Sequence, residues 1–165
     1  MTREEKQLLL QDLCARLPYR VKGRVYAECS NGEYDMNGDM IFFDSPFDVT
    51  LNSINISTEE LHVIAIGNED TIAFIEDQQT WGSLYTVNEF KPYLRPLSSM
   101  TEEEKEEFEN FVFPSEEDKN GNYQTGVLEK DIPNYTDWLN KNMFDYRGLI
   151  PKDHAISTEE FNPYI

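Results

Sequence analysis

Near residue 20 the apolar residues change period, and this switch constrains the fold more than any other feature of the chain. Before it, Leu9, Leu10, Leu13, Cys14 and Leu17 recur at helical spacing and form one apolar stripe. Thr2 and Glu5 stand in the relation of a capping box, which satisfies free backbone N–H groups of a first helical turn, and Pro18 ends the run. After the switch, Val21, Val25, Ala27 and Cys29 alternate with Lys22, Arg24, Tyr26 and Glu28, the pattern of a half-buried strand. The reading is an α+β protein in which a helix leads into a sheet.

Turn signals follow at Ser30-Asn31-Gly32 and, more strongly, at Asn37-Gly38. Met40–Phe43 reads as a strand broken by Asp44-Ser45-Pro46. Phe47, Val49 and Leu51 alternate on odd positions but Ile54 and Ile56 on even ones, so a bulge or bend is expected near Asn52-Ser53. Residues 61–66 and 71–75 are apolar on both faces and flank Gly67-Asn68-Glu69-Asp70, predicting a central hairpin, and Leu84–Val87 reads as a last short strand. Roughly five or six short strands in about 70 residues predict a small bent antiparallel sheet or an SH3-like barrel. The proline-rich tract Phe90–Leu97 is expected to be a connector lying along the sheet.

A second part begins at Ser98 and is expected to be a helical C-terminal region, residues 98–165, packed on an N-terminal domain of residues 1–97, or merged with it into one domain. Thr101 and Glu104 form another capping box, and Phe108, Phe111 and Val112 share a face. Glu102, Glu103, Glu106 and Glu107 crowd the rest, several of them in the first turn where the helix dipole favours acids. Phe113-Pro114 stops this helix and residues 115–126 form a polar loop. The other helix of this two-helix extension is predicted over Thr136–Arg147, with Leu139, Met143 and Tyr146 on one face and Gly148 just past its end. The tail beyond Pro151 carries weak structural signals.

Hydrophobic residues are 39% and aromatics 13%, enough for a packed core. No stretch approaches the ~20 apolar residues of a membrane span. The apolar run Leu8–Leu10 is too short for a signal peptide, which needs about 7 to 15. Two cysteines, Cys14 and Cys29, read as reduced packing residues, and the chain is expected in a cytoplasm. Lys plus Arg is 14 against 32 Asp plus Glu, a net charge of −18, and residues 25–90 contain no Lys or Arg. Direct binding to nucleic acid or to an anionic membrane relies on cationic contacts, so both are disfavoured.

Three segments, Lys6–Lys22 with Leu-Pro-Tyr-Arg-Val-Lys, Lys91–Glu104 with Lys-Pro-Tyr-Leu-Arg-Pro-Leu, and Thr136–Ile156 with Asp-Trp-Leu and Phe-Asp-Tyr-Arg-Gly-Leu-Ile, cover about a third of the chain. They resemble a family of small acidic proteins from Bacteroides-type gut bacteria and their phages or mobile elements. The resemblance implies a bacterial cytoplasmic or phage setting. That family has no assigned activity, so no functional residue is carried over.

Few residues suggest chemistry. Asp118, Asn120, Asn122 and Glu129 occupy positions 1, 3, 5 and 12 of an EF-hand calcium loop, where oxygen ligands wrap a hard cation. Tyr123 stands where that loop needs Gly, and Pro114 interrupts the incoming helix, so a polar turn is the expectation and a calcium module the alternative. Asp35-x-Asn37-x-Asp39 fails at Met40 and Pro46. His62 reads as a sheet residue, His154 lies in the tail, and neither Cys looks activated. There is no Walker A loop, G-x-G-x-x-G, H-E-x-x-H or C-x-x-C. No catalytic residue and no cofactor is assigned, and a hydrolase with a hidden site is the rival reading. The acidic surface points to a non-enzymatic protein that engages a partner protein with a basic face, through Glu102, Glu103, Glu106 and Glu107. An alternative is imitation of DNA phosphates to block a nucleic-acid-binding protein.

Overall fold

The computed structural model describes residues 1–65, 84–112, 116–117, 123–124 and 132–165. In these, helix α1 (Arg3–Arg16) precedes strands β1 (Lys22–Tyr34), β2 (Met40–Asn55), β3 (Glu60–Ala65), β4 (Leu84–Thr86) and β5 (Lys91–Leu94). Helix α2 (Glu102–Val112), the short strands β6 (Glu116–Glu117) and β7 (Tyr123–Gln124), helix α3 (Ile132–Lys141) and strand β8 (Ile156–Ser157) follow. The predicted strand over residues 71–75 lies outside the described residues.

Six strands form one sheet in the order β4-β3-β2-β1-β5-β8, with β6 and β7 a separate pair. Its pairings are antiparallel except β5 with β8, which run parallel. The sheet is mixed and is not closed into a barrel, which corrects the expectation of an all-antiparallel or SH3-like closure. The reason lies in what packs against one of its faces. Leu9 and Leu13 of α1, with Met143, Leu149 and Ala155, pack there against Val21, Val25, Val49, Leu51 and Leu61. Helix and chain end supply the layer that a barrel builds from its own strands. Each such aliphatic side chain contributes about 1.5–3 kcal/mol on burial.

Local signals explain the elements they touch. Thr2 Oγ1 accepts the Glu5 N–H at 3.2 Å and the Glu5 carboxylate accepts the Thr2 N–H at 2.7 Å, closing the capping box of α1. The parity slip in β2 is a register shift between Leu51 and Ser53 against β3. β2, however, runs straight through Asp44-Ser45-Pro46. Leu51 N–H bonds Val21 O at 2.9 Å, so with two-residue alternation the N–H groups of residues 49, 47 and 45 face β1. Pro46, opposite Tyr26, turns its missing donor away from β1, to a side where no described strand pairs with it.

The tract read as a connector also forms a strand. β5 pairs with β1 at Gly23–Pro92 and Arg24–Lys91. This approach requires Gly23, because a Cβ there would sit 2.7 Å from Lys91 O and still nearer the Phe90 ring. Helix α3 starts and stops earlier than the spacing predicts. Met143 adopts φ 58° just past its end. Phe144 N–H bonds Leu139 O at 3.0 Å and Met143 N–H bonds Asn140 O at 3.1 Å, the two bonds of a Schellman motif. Leu139 and Phe144 pack together in a second cluster around Trp138. Gly148, at φ 68°, serves a later turn instead.

A buried ion pair joins α1 to this helix end. Asp12 and Arg16 are both 0% exposed, on the same side of α1 as Leu9 and Leu13. Arg16 donates to both Asp12 oxygens, at 2.7 and 3.0 Å, and to Phe144 O at 2.7 Å. Arg147 Nε lies 3.3 Å from Asp12. The weakly signalled tail is tied down as well: the Tyr164 hydroxyl lies 3.2 Å from Lys22 O and 3.1 Å from Tyr93 O and accepts the Lys22 N–H at 2.9 Å.

Candidate functional site

Helix α2 is held by one inward carboxylate. Glu104 receives two hydrogen bonds from the Arg95 guanidinium, at 2.6 and 2.8 Å, and accepts the Thr101 N–H at 2.8 Å. Thr101 Oγ1 accepts the Glu104 N–H at 3.2 Å, so the capping box read from the sequence is present with a bidentate ion pair added to it. The Arg95 bond holds the Glu104 carboxyl below the usual glutamate range. Arg95 itself lies 4.2 Å from the centre of the Phe144 ring. One turn on, Phe108 meets Trp138 at 5.6 Å and Tyr135 edge-on at 6.2 Å.

With that inner face committed, Glu102, Glu103, Glu106, Glu107 and Glu109 are exposed. The four glutamates singled out from the sequence therefore share one rigidly mounted helix face, as the rows Glu102/Glu106 and Glu103/Glu107. Lys105 is the one base of α2 and pairs with Glu102. Like charges at i,i+4 repel by about 0.2–0.5 kcal/mol per pair, a cost that the Glu104 anchor and the aromatic contacts offset.

A second acidic region lies at the far end of the β1–β2 hairpin. Glu33, Asp35, Asp39 and Asp44 are exposed there. Among them stand exposed apolar side chains, Tyr34, Met36, Met40 and Ile41. The sequence reading treated Met40 and Ile41 as part of an ordinary sheet strand. The available signal was the density of acids around them.

The residues weighed for catalysis are not brought together. Cys14 is half-buried and burial pushes its thiol up, away from the thiolate a nucleophile needs. His62 is exposed on β3. His154 Nε2 lies 3.6 Å from Glu5, too long for a hydrogen bond. His154 borders a cleft of about 290 Å³ with Phe90, Lys91, Lys152 and Asp153; in it Lys91 bonds Asp153 at 2.7 Å, and no Ser, Thr or Cys lines it among the described residues. Two further clefts of about 230 and 340 Å³ share Tyr19 and Tyr164 and carry Arg20, Lys22, Arg95 and Lys141. Among the described residues neither is lined by a His, a Cys or a carboxylate side chain.

The calcium-loop positions Asp118, Asn120, Asn122 and Glu129 lie outside the described residues. Tyr123 and Gln124 of that loop pair with Glu117 and Glu116 across β6 and β7. Among the described residues no three His, Cys, Asp or Glu side chains converge to hold a metal ion. Asp35, in the discarded second motif, is satisfied by the backbone: it accepts the N–H groups of Asn37 and Asp39 at 2.8 and 2.9 Å. Among the described residues no helix is long and apolar enough to cross a membrane.

No family model matches the chain, and no curated protein or solved structure is significantly similar to it.

Proposed function

We propose that this chain is a non-enzymatic interaction protein that presents an acidic surface to a partner protein with a basic face. The observation that carries the reading is the mounting of α2. One glutamate, Glu104, is turned inward as an anchor, and five others are exposed on a helix fixed by Arg95, Trp138 and Tyr135. Fixed like charges create a directional field that steers an oppositely charged partner and speeds encounter more than it tightens the final complex. The net charge of −18 and the absence of Lys and Arg over residues 25–90 support the same reading.

Affinity capture with the whole chain, followed by association kinetics against the captured protein, tests it. Replacing Glu102, Glu103, Glu106 and Glu107 by Gln leaves the Glu104 anchor intact. The on-rate is expected to fall in this variant, and to fall for the parent as the Debye length shrinks from ~30 Å at 0.01 M salt to ~8 Å at 0.15 M. Equal kinetics for parent and variant, with no salt dependence, overturn the reading. The stretch without Lys or Arg over residues 25–90 favours a partner that itself binds nucleic acid. Competition between duplex DNA and this chain for the captured protein would identify the surface as a DNA mimic.

A further inference from the structure

Residues 25–90 carry no Lys or Arg, and the structure turns part of this stretch into an arm. Among the described residues, β1 has β5 beside it only at Gly23 and Arg24, and β2 has β3 beside it only from Val49 onward. Beyond those points the two strands pair only with each other among the described residues. The joint is clamped by Asp48, whose Oδ1 accepts from Tyr93 at 2.5 Å and from Arg24 at 3.0 Å.

The tip is a pre-ordered turn. Asp35 N–H bonds Asp39 O at 2.8 Å, Gly38 N–H bonds Asp35 O at 3.1 Å, and the Asp35 carboxylate binds Asn37 Nδ2 at 3.2 Å besides the two backbone N–H groups. Gly38 takes φ 87°, which a glycine adopts without strain. On this frame Met36 is 104% exposed and Tyr34, facing Met40 across the ribbon, is 61% exposed. Ile41 is exposed beside them. Met and Tyr are the side chains enriched in protein interfaces, and a turn already held in one conformation loses little entropy on binding.

We propose that the tip of this arm is the apolar anchor of the same partner-binding surface, inserting Met36 and its neighbours into an apolar pocket of a protein rimmed by Lys and Arg. The inference rests on the acidic-surface reading and adds to it the docking point and the chemistry of the pocket. Charge complementarity selects the occupant. Glu33, Asp35, Asp39 and Asp44 surround the apolar tip and no base lies on the arm, so a cationic rim is attracted. Nucleic acid and anionic lipid are repelled, and a second copy would set the same acids against each other.

A randomised peptide library displayed on phage, selected on the whole chain at low salt, supplies the probe. Enriched peptides are expected to combine Lys or Arg with aliphatic or aromatic residues. They should bind a Met36→Ser, Ile41→Ser variant at least about tenfold more weakly, the size of losing an interface anchor. Circular dichroism of the variant shows whether its fold is kept, and Met36→Ser alone carries the test if it is not. Peptides bound equally by the arm variant but lost by the α2 glutamine variant overturn the arm and leave the acidic-surface reading standing. Enriched peptides without bases, or no enrichment at all, overturn both. A concentration-dependent dimer in sedimentation that the arm substitutions abolish makes a second copy the occupant and overturns the arm proposal.

Discussion

The two ends of the β1–β2 hairpin share a backbone ladder and little else. At the base, Val21, Val25 and Val49 are fully buried, with β5 on one side, β3 on the other and α1 beneath. At the tip, the end of β1 and the turn after it carry Tyr34 and Met36 into solvent. The pairing reaches both ends, interrupted by a register shift between Ser30 and Tyr34, so pairing alone does not account for the difference. A two-stranded ribbon is marginally stable in water, and the base is held by what packs on it. Stability is concentrated at one end, and the other is left free to carry a surface.

Breaking the base should show the largest effect. Arg16→Ala strips the guanidinium from a buried carboxylate and from Phe144 O. A loss of about 3–5 kcal/mol is expected from urea unfolding, since an uncompensated buried charge remains, and Asp12→Asn in the same chain should recover part of it. Retention of the parent's midpoint would mean that Arg147 alone neutralises Asp12.

Two glycines sharpen the contrast at an intermediate scale. Gly23→Ala drives a methyl into Lys91 O and the Phe90 ring and should cost about 1–3 kcal/mol through overpacking. Gly38→Ala meets nothing within 4 Å and is opposed only by its φ of 87°, so a cost of about 1–2 kcal/mol, toward the lower end of the Gly23 range, is expected. Thermal midpoints of the two variants read the order directly, and a reversed order would contradict the assignment of stability to the base.

The smallest effect is one of pH. Glu104 is held low by Arg95 first, and Asp35 by the Asp39 N–H first. A carboxyl with a depressed folded pKa contributes stability that is present above its unfolded value, about 4, and is lost as pH falls through the folded value. Glu104 joins α2 to β5 and the Phe144 ring, so Glu104→Gln should flatten the acid side of the global stability profile. Asp35 holds only the turn, so Asp35→Asn should loosen the amides of residues 37–39 in hydrogen exchange and leave the global transition in place.

What was legible in the sequence was what neighbours in the chain decide. Both capping boxes, the change of period at residue 20 and the bulge after Leu51 need only nearby residues, and each is present. The elements that distant chain decides were missed. Pro92 joins a strand because Gly23 lets it come close. β8 forms because Tyr164 and neighbouring groups dock the tail. Met143 takes the left-handed position that Gly148 advertises, because its side chain is buried in the main core while Leu139 and Phe144 close over the helix end. Asp12 and Arg16 had a visible i,i+4 spacing on the leucine side of α1, yet nothing local says that a charged pair will be buried. The candidate surface divides in the same way. The α2 glutamates were legible as a helix face, whereas the exposure of Met36, Met40 and Ile41 follows from their place at the end of a long hairpin, which no local pattern announces.

The bond from Arg16 to Phe144 spans 128 residues. A ribosome adding about 5–20 residues per second needs roughly 6–25 s to make that length of chain. During that interval α1 has neither the carbonyl that receives Arg16 nor the Met143, Leu149 and Ala155 side chains that complete the cavity around Leu9 and Leu13. Closing so long a loop carries an entropic cost of its own, and contacts this distant in sequence form slowly. The nascent chain therefore emerges with its leucine helix uncovered, and its core is completed only after the residues up to Ala155 have left the exit tunnel.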